Sequence, residues 1–253
     1  MNILLTNDDG YFSSGISALK EELSKFHNVY LCAPIREKSA SSHSITLFKK
    51  MELLEINKNE YAIDGTPADC VKVALLYLFK DINFDILISG INNGPNMGED
   101  IFYSGTVAGA REGLLNNIFS IAASVDKWNK NKSFELPAKF LAELIEKLNK
   151  KLLSENILLN INFPDNSKPK GIKITHLGKR VYKDSIIFEK IDGKSYVTIG
   201  GDNPGFEYEE NSDLSAVYEN FVSITPITND VYDRTIFNHL IYLEQEEWKV
   251  LKS

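Results

Sequence analysis

MNILLTNDDGYFSSG, residues 1–15, is the stretch whose reading decides the fold. Asn2 to Leu5 form a short run of the kind that makes a buried strand. Asp8 and Asp9 follow at its carboxyl end, and Gly10 permits a sharp turn. Beyond Ser13-Ser14-Gly15, the spacing of Ile16, Leu19, Leu23 and Phe26 predicts a helix. In open α/β sheets, ligands sit in the crevice beyond the carboxyl ends of the strands. Two adjacent carboxylates there repel each other, and a divalent cation between them is the simplest relief. Asp-Asp-Gly is equally ordinary turn chemistry, and an acid can simply cap the next helix. The rest of the chain has to separate these readings.

Strand and helix patterns alternate outward from this point. Val29–Ala33 reads as a second buried strand closed by Pro34, and residues 35–46, IREKSASSHSIT, as a polar serine-rich loop. Met51–Ile56 and Tyr61–Ile63 suggest a hairpin around Asn57-Lys58-Asn59. Thr66, Pro67 and Asp69 carry helix-start chemistry, with Thr66 as N-cap. Phe84–Ser89 is a third strong strand and runs into a glycine-rich loop holding Asn92 and Asn96. Ser104-Gly105-Thr106 then opens a helix whose early residues are small. Its amino terminus is a ready phosphate cradle, although Ser104 as a plain cap explains the same residues. Ile118–Ser124 predicts a strand, Ala138–Leu153 one long amphipathic helix, and Ile157–Phe163 a further strand.

This alternation predicts an α/β chain with a doubly wound, mostly parallel sheet. After Asp165 the character changes. Ile172–Leu177, Ile186–Ile191 and Tyr196–Ile199 read as short strands, the last two joined at Asp192-Gly193. Such an arm has little to bury against in its own chain, so packing on a partner subunit is expected. Gly200–Gly205 reads as loop, Asp213–Tyr218 as a short helix or turn, Phe221–Thr225 as a last strand ending at Pro226 and Thr235–Leu251 as a terminal helix. The expected organisation is one domain over 1–253: a core of about 1–170 plus 205–230, a hairpin at about 181–200, and an extension at about 231–253.

Composition narrows the function. The 253 residues are 43% hydrophobic and 25% charged, with a net charge of −7. That suits a soluble globular protein, enzyme or binding protein alike, and gives no support to a nucleic-acid groove, DNA included, which needs a concentrated basic face. Cys32 and Cys70 are isolated and read as buried thiols. No basic segment followed by an apolar stretch marks a leader, and no run is long enough to cross a bilayer. A cytoplasmic setting without membrane contact is therefore expected.

The oxygen donors at the strand ends are Asp8, Asp9, the serine loop, Asn92 and Asn96. Such hard ligands suit Mg²⁺, Mn²⁺ or Ca²⁺. Of the four histidines, His43 alone lies beside this group. A hard cation next to a helix amino terminus describes a phosphate-ester site. Neither GxxxxGK[ST] nor G-x-S-x-G occurs, which argues against nucleoside-triphosphate motor chemistry and serine hydrolysis.

ILLTNDDG (3–10), APIREKSASSHSIT (33–46), DGTPADCV (64–71), SGINNGPNMGEDIFYSGTVAGAREG (89–113) and VSITPI (222–227) occur in order. Together they resemble the survival protein SurE family of metal-dependent 5′(3′)-nucleotidases. The resemblance implies a Rossmann-like core with an exchanged hairpin and a carboxyl-terminal extension, assembled as homodimer or homotetramer. It implies one divalent cation per subunit, Mg²⁺ or Mn²⁺ with Ca²⁺ as another occupant, held by Asp8, Asp9, Ser39 and Asn92. It places Asn96, Ser104, Gly105, Thr106, Ser42 and His43 in phosphate or substrate binding, and Asp8 and Asp9 in catalysis. The implied reaction releases inorganic phosphate from nucleoside monophosphates, with short polyphosphate a substrate of some relatives. One departure lies after the last strand, where some relatives carry a histidine and this chain has Arg234. Arginine cannot serve as a general base, though it can bind phosphate.

Two other readings compete. A receiver-like Mg²⁺-binding signalling module also ends its first strand in paired acids, but needs an acceptor Asp near residue 55, where the chain reads LLEINKN. An aspartyl-phosphate phosphatase expects acids two apart, and here they are adjacent.

Overall fold

The computed structural model describes residues 1–126, 133–165, 168–182, 184–201 and 205–245. β1 (Asn2–Thr6) buries Ile3 and Leu5 on one face and Leu4 on the other, the period-two pattern of a strand covered on both sides. α1 (Ser14–Leu23) leads to β2 (Asn28–Pro34), parallel to β1. β3 (Leu53–Asn57) and β4 (Glu60–Ile63) form the expected hairpin, with β3 starting at Leu53 rather than Met51. α2 (Pro67–Val73) begins at the expected cap. Thr66 Oγ1 accepts the Asp69 N–H at 3.2 Å, and the Asp69 carboxylate accepts the Thr66 N–H at 2.9 Å. A π turn, Ala74–Leu78, continues it.

β5 (Ile86–Asn93), a 3-10 turn at Gly98–Phe102, α3 (Gly105–Leu115) and β6 (Phe119–Val125) complete the second half of the winding. The single helix expected over Ala138–Leu153 is instead α4 (Glu135–Lys147) and α5 (Lys150–Leu153). Leu148 is extended and Asn149 caps the second piece, its side chain accepting the Leu152 N–H at 2.9 Å. Asparagine competes with the helical backbone for hydrogen bonds, and here it wins.

β7 (Leu158–Phe163) and β8 (Ile172–Ile174) follow, β8 being shorter than the expected Ile172–Leu177 because His176 turns away to bridge Ser212. β9 (Lys179–Val181), β10 (Asp184–Ile191), β11 (Lys194–Gly201) and β12 (Gly205–Glu207) come next. The segment expected as loop, Gly200–Gly205, therefore ends one strand and starts another, residues 202–204 lying outside the described ones. α6 (Asp213–Tyr218) matches expectation, while β13 (Val222–Ile227) starts one residue later than the expected Phe221 and runs on through Pro226, where the strand was expected to stop. The terminal helix is α7 (Arg234–Leu240) followed by a 3-10 turn at Ile241–Gln245; the rest of the expected Thr235–Leu251 lies outside the described residues.

The main sheet has nine strands in the order β3-β4-β2-β1-β5-β6-β7-β13-β8. From β4 to β7 every neighbour is parallel, while β3 and β13 pair antiparallel to β4 and β7. α1 and α4 cover one face and α2 and α3 the other. The winding runs from β1 to β2 in one direction, and β5 returns on the other side of β1. That reversal creates a switch point between the ends of β1 and β5, where ligand crevices form. Residues 53–57 lie in an edge strand of the opposite direction, so the receiver-like reading loses the strand end that its acceptor would need.

The β10–β11 hairpin stands apart from this sheet. Ile186 faces Ile199 and Phe188 faces Val197 across it, so one face is apolar. All four side chains are more than half exposed.

Close packing explains two glycines beside the switch point. A Cβ on Gly15, at the start of α1, would stand 2.0 Å from the Ile91 carbonyl oxygen of β5. One on Gly109 of α3 would meet Ser89 Oγ and Thr6 Cγ2 at 2.9 Å. Gly15→Ala should therefore cost about 3 kcal/mol, the upper range for overpacking, read as a lowered urea midpoint at unchanged slope.

Candidate active site

Asp8 and Asp9 leave the end of β1, and Asn92 and Asn93 close β5. Asp8 is almost wholly buried. Thr106 Oγ1 donates to its Oδ1, and the Thr106 backbone N–H supports it as well. Its carboxyl is pushed up to about 6, first by burial; the Thr106 hydroxyl pulls it down, the neighbouring Asp9 charge raises it, and backbone N–H groups lower it. The carboxylate thus lies at the amino terminus of α3, where the helix dipole favours negative charge. Asp9 is held separately, its Oδ2 accepting the Asn93 N–H at 3.0 Å. Asp8 therefore faces the head of α3 and Asp9 the end of β5.

The serine loop closes over this group. Lys38 N–H donates to the Asp8 carbonyl at 2.7 Å, which sets Ser39 beside the carboxylates' backbone. Ser39 Oγ donates to Glu37 at 2.6 Å, and Asn92 Nδ2 donates to the Gly94 carbonyl at 2.8 Å. Ser41, absent from the expected set, borders the same space as Asp8 at the head of α3. Its Oγ and Asp8 Oδ2 both lie within 2.9 Å of the point where a Gly105 Cβ would stand. Gly105 is required there because any larger residue would collide with both. Ser41 Oγ is buried and, among the described residues, has no hydrogen-bond partner.

The remaining expected residues divide by what they touch. Ser104 is the N-cap of α3, its Oγ accepting the Val107 N–H at 3.0 Å. Thr106 serves Asp8. Ser42 is engaged through its backbone, donating to the Tyr103 carbonyl at 3.0 Å. His43 reaches along α3 to Glu112, Nε2 to Oε2 at 2.9 Å. Asn96 is buried, and its amide donates to Ser124 at 2.7 Å. Its backbone is gripped by β7: Asn160 and Asn162 donate to its carbonyl at 2.8 and 3.0 Å, and Asn162 Oδ1 accepts its N–H at 2.9 Å.

The expected set does not include Asn160, Asn162, Ser124 or Glu112. The asparagines had a signal, since two amides at period two interrupt the otherwise apolar ILLNINF.

Among the described residues, no group of three or more His, Cys, Asp or Glu side chains has the geometry of a metal cage. The donor set here is of another kind: two carboxylates, a serine hydroxyl and an asparagine amide. Those are hard oxygen donors, and the raised Asp8 carboxyl beside Asp9 is an electrostatic cost that a cation removes. The residues therefore fit a hard divalent ion.

A family model described as survival protein SurE matches residues 3–184. The chain belongs to the SurE family. A relative from Aquifex aeolicus strain VF5, named 5′-nucleotidase SurE, is 41% identical over 246 residues, spanning 95% of this chain and 97% of its own. A Clostridium botulinum strain Loch Maree relative of the same name is 41% identical over 254 residues, or 97% and 98% of the two chains. The crystal structure of the SurE protein from Aquifex aeolicus superposes with a TM-score of 0.84 at 39% identity, covering 96% of this chain and all of that one. The α/β architecture with its hairpin is thus the SurE fold.

Glu112 offers a test of this geometry that involves no ligand. Burial pushes its carboxyl up, but hydrogen bonds and charge from His43 and Lys72 outweigh this and leave it lowered. A lowered carboxyl stabilises the fold above the unfolded value and loses that contribution as pH falls. Glu112→Gln should therefore be less stable than wild type at pH 7, and the gap should narrow as pH drops below about 4.3, the ordinary glutamate value. Urea titrations across pH measure it.

Proposed function

We propose that this chain is a divalent-metal-dependent phosphohydrolase acting on nucleoside monophosphates and releasing inorganic phosphate. The observation that carries the reading is the buried Asp8 beside Asp9 at the switch point, joined by the head of α3. Membership of a family whose relatives are named 5′-nucleotidase supports it.

Asp8, Asp9, Ser39 and Asn92 would hold the ion, Mg²⁺ or Mn²⁺, with Ca²⁺ as a competing occupant. A bound divalent ion supplies charge neutralisation at the phosphoryl oxygens and acidifies water. The chain's own residues do the positioning. Gly105 admits close approach at the head of α3, and the loop carrying Asn96 is fixed from β7. Asp8 or Asp9 orients the attacking water and takes its proton. The water oxygen bonds to phosphorus while the ester P–O bond breaks, and the departing nucleoside oxygen takes up the proton that the aspartate received from the water. Short polyphosphate presents the same terminal group and is a second substrate class within this proposal.

The apolar face of the β10–β11 hairpin and the exposed Ile236, Phe237 and Leu240 of α7 support a homodimer or homotetramer. Buried free Cys32 and Cys70 suit a reducing, cytoplasmic setting. Among the described residues, no helix is long and apolar enough to cross a membrane.

Purified protein should release phosphate from AMP or GMP with Mn²⁺ or Mg²⁺. Excess EDTA should stop it, and Asp9→Asn should lower turnover about a hundredfold or more. Unchanged turnover in either case would refute the proposal. Sedimentation velocity should give a mass of at least two subunits, and Phe188→Asp with Val197→Asp should shift it to monomer.

A further inference from the structure

The serine loop holds a costly backbone. Ala40 and Ser42 take left-handed conformations at φ 52° and 50°, one on each side of Ser41. Each costs about 1 kcal/mol or more and persists only where the surroundings hold it. Backbone tethers do part of this work: Lys38 N–H to the Asp8 carbonyl, Ser42 N–H to the Tyr103 carbonyl, and Thr66 Oγ1 donating to the Ser44 carbonyl at 2.7 Å. Thr46 N–H adds a bond to Asp69 at 2.8 Å.

His43 lies between the Ser42 and Ser44 tethers and is the loop's side-chain link to α3. A carboxylate only accepts, so Nε2 carries the hydrogen and donates to Glu112. Glu112 is 1% exposed, and its other oxygen receives Lys72 Nζ at 2.8 Å. It lies nearly two turns along α3 from Thr106, too far down the helix to belong to the carboxylate pair. Lys72 alone would neutralise it. The second oxygen is spent on the loop, and that needs a reason.

We infer that Glu112 is a positioning residue: through His43 it latches residues 38–46 onto α3 and so keeps Ser39 and Ser41 beside Asp8. The inference rests on the metal-site reading above, because Ser39 matters there as a donor. Without the latch, the two left-handed residues relax and the loop draws Ser39 back. Partners that orient metal ligands from outside the coordination sphere typically change affinity by about 10- to 100-fold.

The experiment is a Mn²⁺ titration followed by electron paramagnetic resonance on four full-length proteins: wild type, His43→Ala, His43→Gln and Glu112→Gln. His43→Ala should bind Mn²⁺ about tenfold more weakly. His43→Gln should recover wild-type affinity, since its Nε2–H stands where the imidazole donor stood. Glu112→Gln should be weakened from the helix side, which keeps the test decisive if His43→Ala does not fold. Circular dichroism checks the fold, and trypsin should cut faster after Arg36 and Lys38 in His43→Ala than in wild type. Affinity in folded His43→Ala equal to wild type overturns the latch, as does failure of His43→Gln to restore it. Absence of saturable Mn²⁺ binding in wild type overturns the metal reading itself, and that result is distinguishable from either.

Discussion

The bond between Asp8 and Thr106 is the constraint from which the rest of the site follows. A carboxylate buried beside a second one is unstable alone. Here it is offset by a hydroxyl, by backbone N–H groups and by the positive end of α3. For those groups to reach it, the head of α3 must press against the end of β1. That approach explains why Gly105 and Gly109 tolerate no side chain and why the early residues of the helix are small. The functional group and the close-packed helix are one arrangement.

Around that bond, three parts of the chain hold pieces of the site from outside. α2 receives the serine loop through Thr66 and Asp69, so a capping box also serves as a loop anchor. β7 grips Asn96 through two asparagine side chains. α6 supplies buried Asp213, whose oxygens accept the Gly98 and Gly178 N–H groups at 2.9 and 2.8 Å. The glycine-rich loop after β5 is therefore held at Asn96 and at Gly98 by polar side chains from β7 and α6.

Local signals were the legible ones. The strand run Asn2–Leu5, the Thr66-Pro67-Asp69 cap and the Ser104 cap each declare themselves within a few residues, and the alternation of elements gave the doubly wound sheet. The break at Asn149 had a local cue, a cap-forming residue inside an apolar period, which the strong periodicity on either side masked. Roles that depend on tertiary partners were not legible. His43 lay beside the candidate site in sequence, but nothing in SSHSIT says that its ring runs down α3 to Glu112. Glu112 itself reads as an ordinary polar position on a helix, and only its burial reveals otherwise. Ser41 and Ser42 are indistinguishable as letters; only the fold shows that the Ser41 hydroxyl borders Gly105 on the side where Asp8 also lies.

The placement of β1 at the middle of the sheet sets an order of assembly during synthesis. Its first neighbour, β2, leaves the ribosome soon after it, but the other, β5, ends at Asn93, and the clamp on Asn96 waits for Asn162. A nascent chain that ends before Asn93 therefore carries both acids without β5 and α3, which hold them, and one that ends before β7 lacks the clamp on Asn96. Such sequence-distant pairings are slow to close, so the pocket is completed among the last parts of the core, although its first residues emerge earliest.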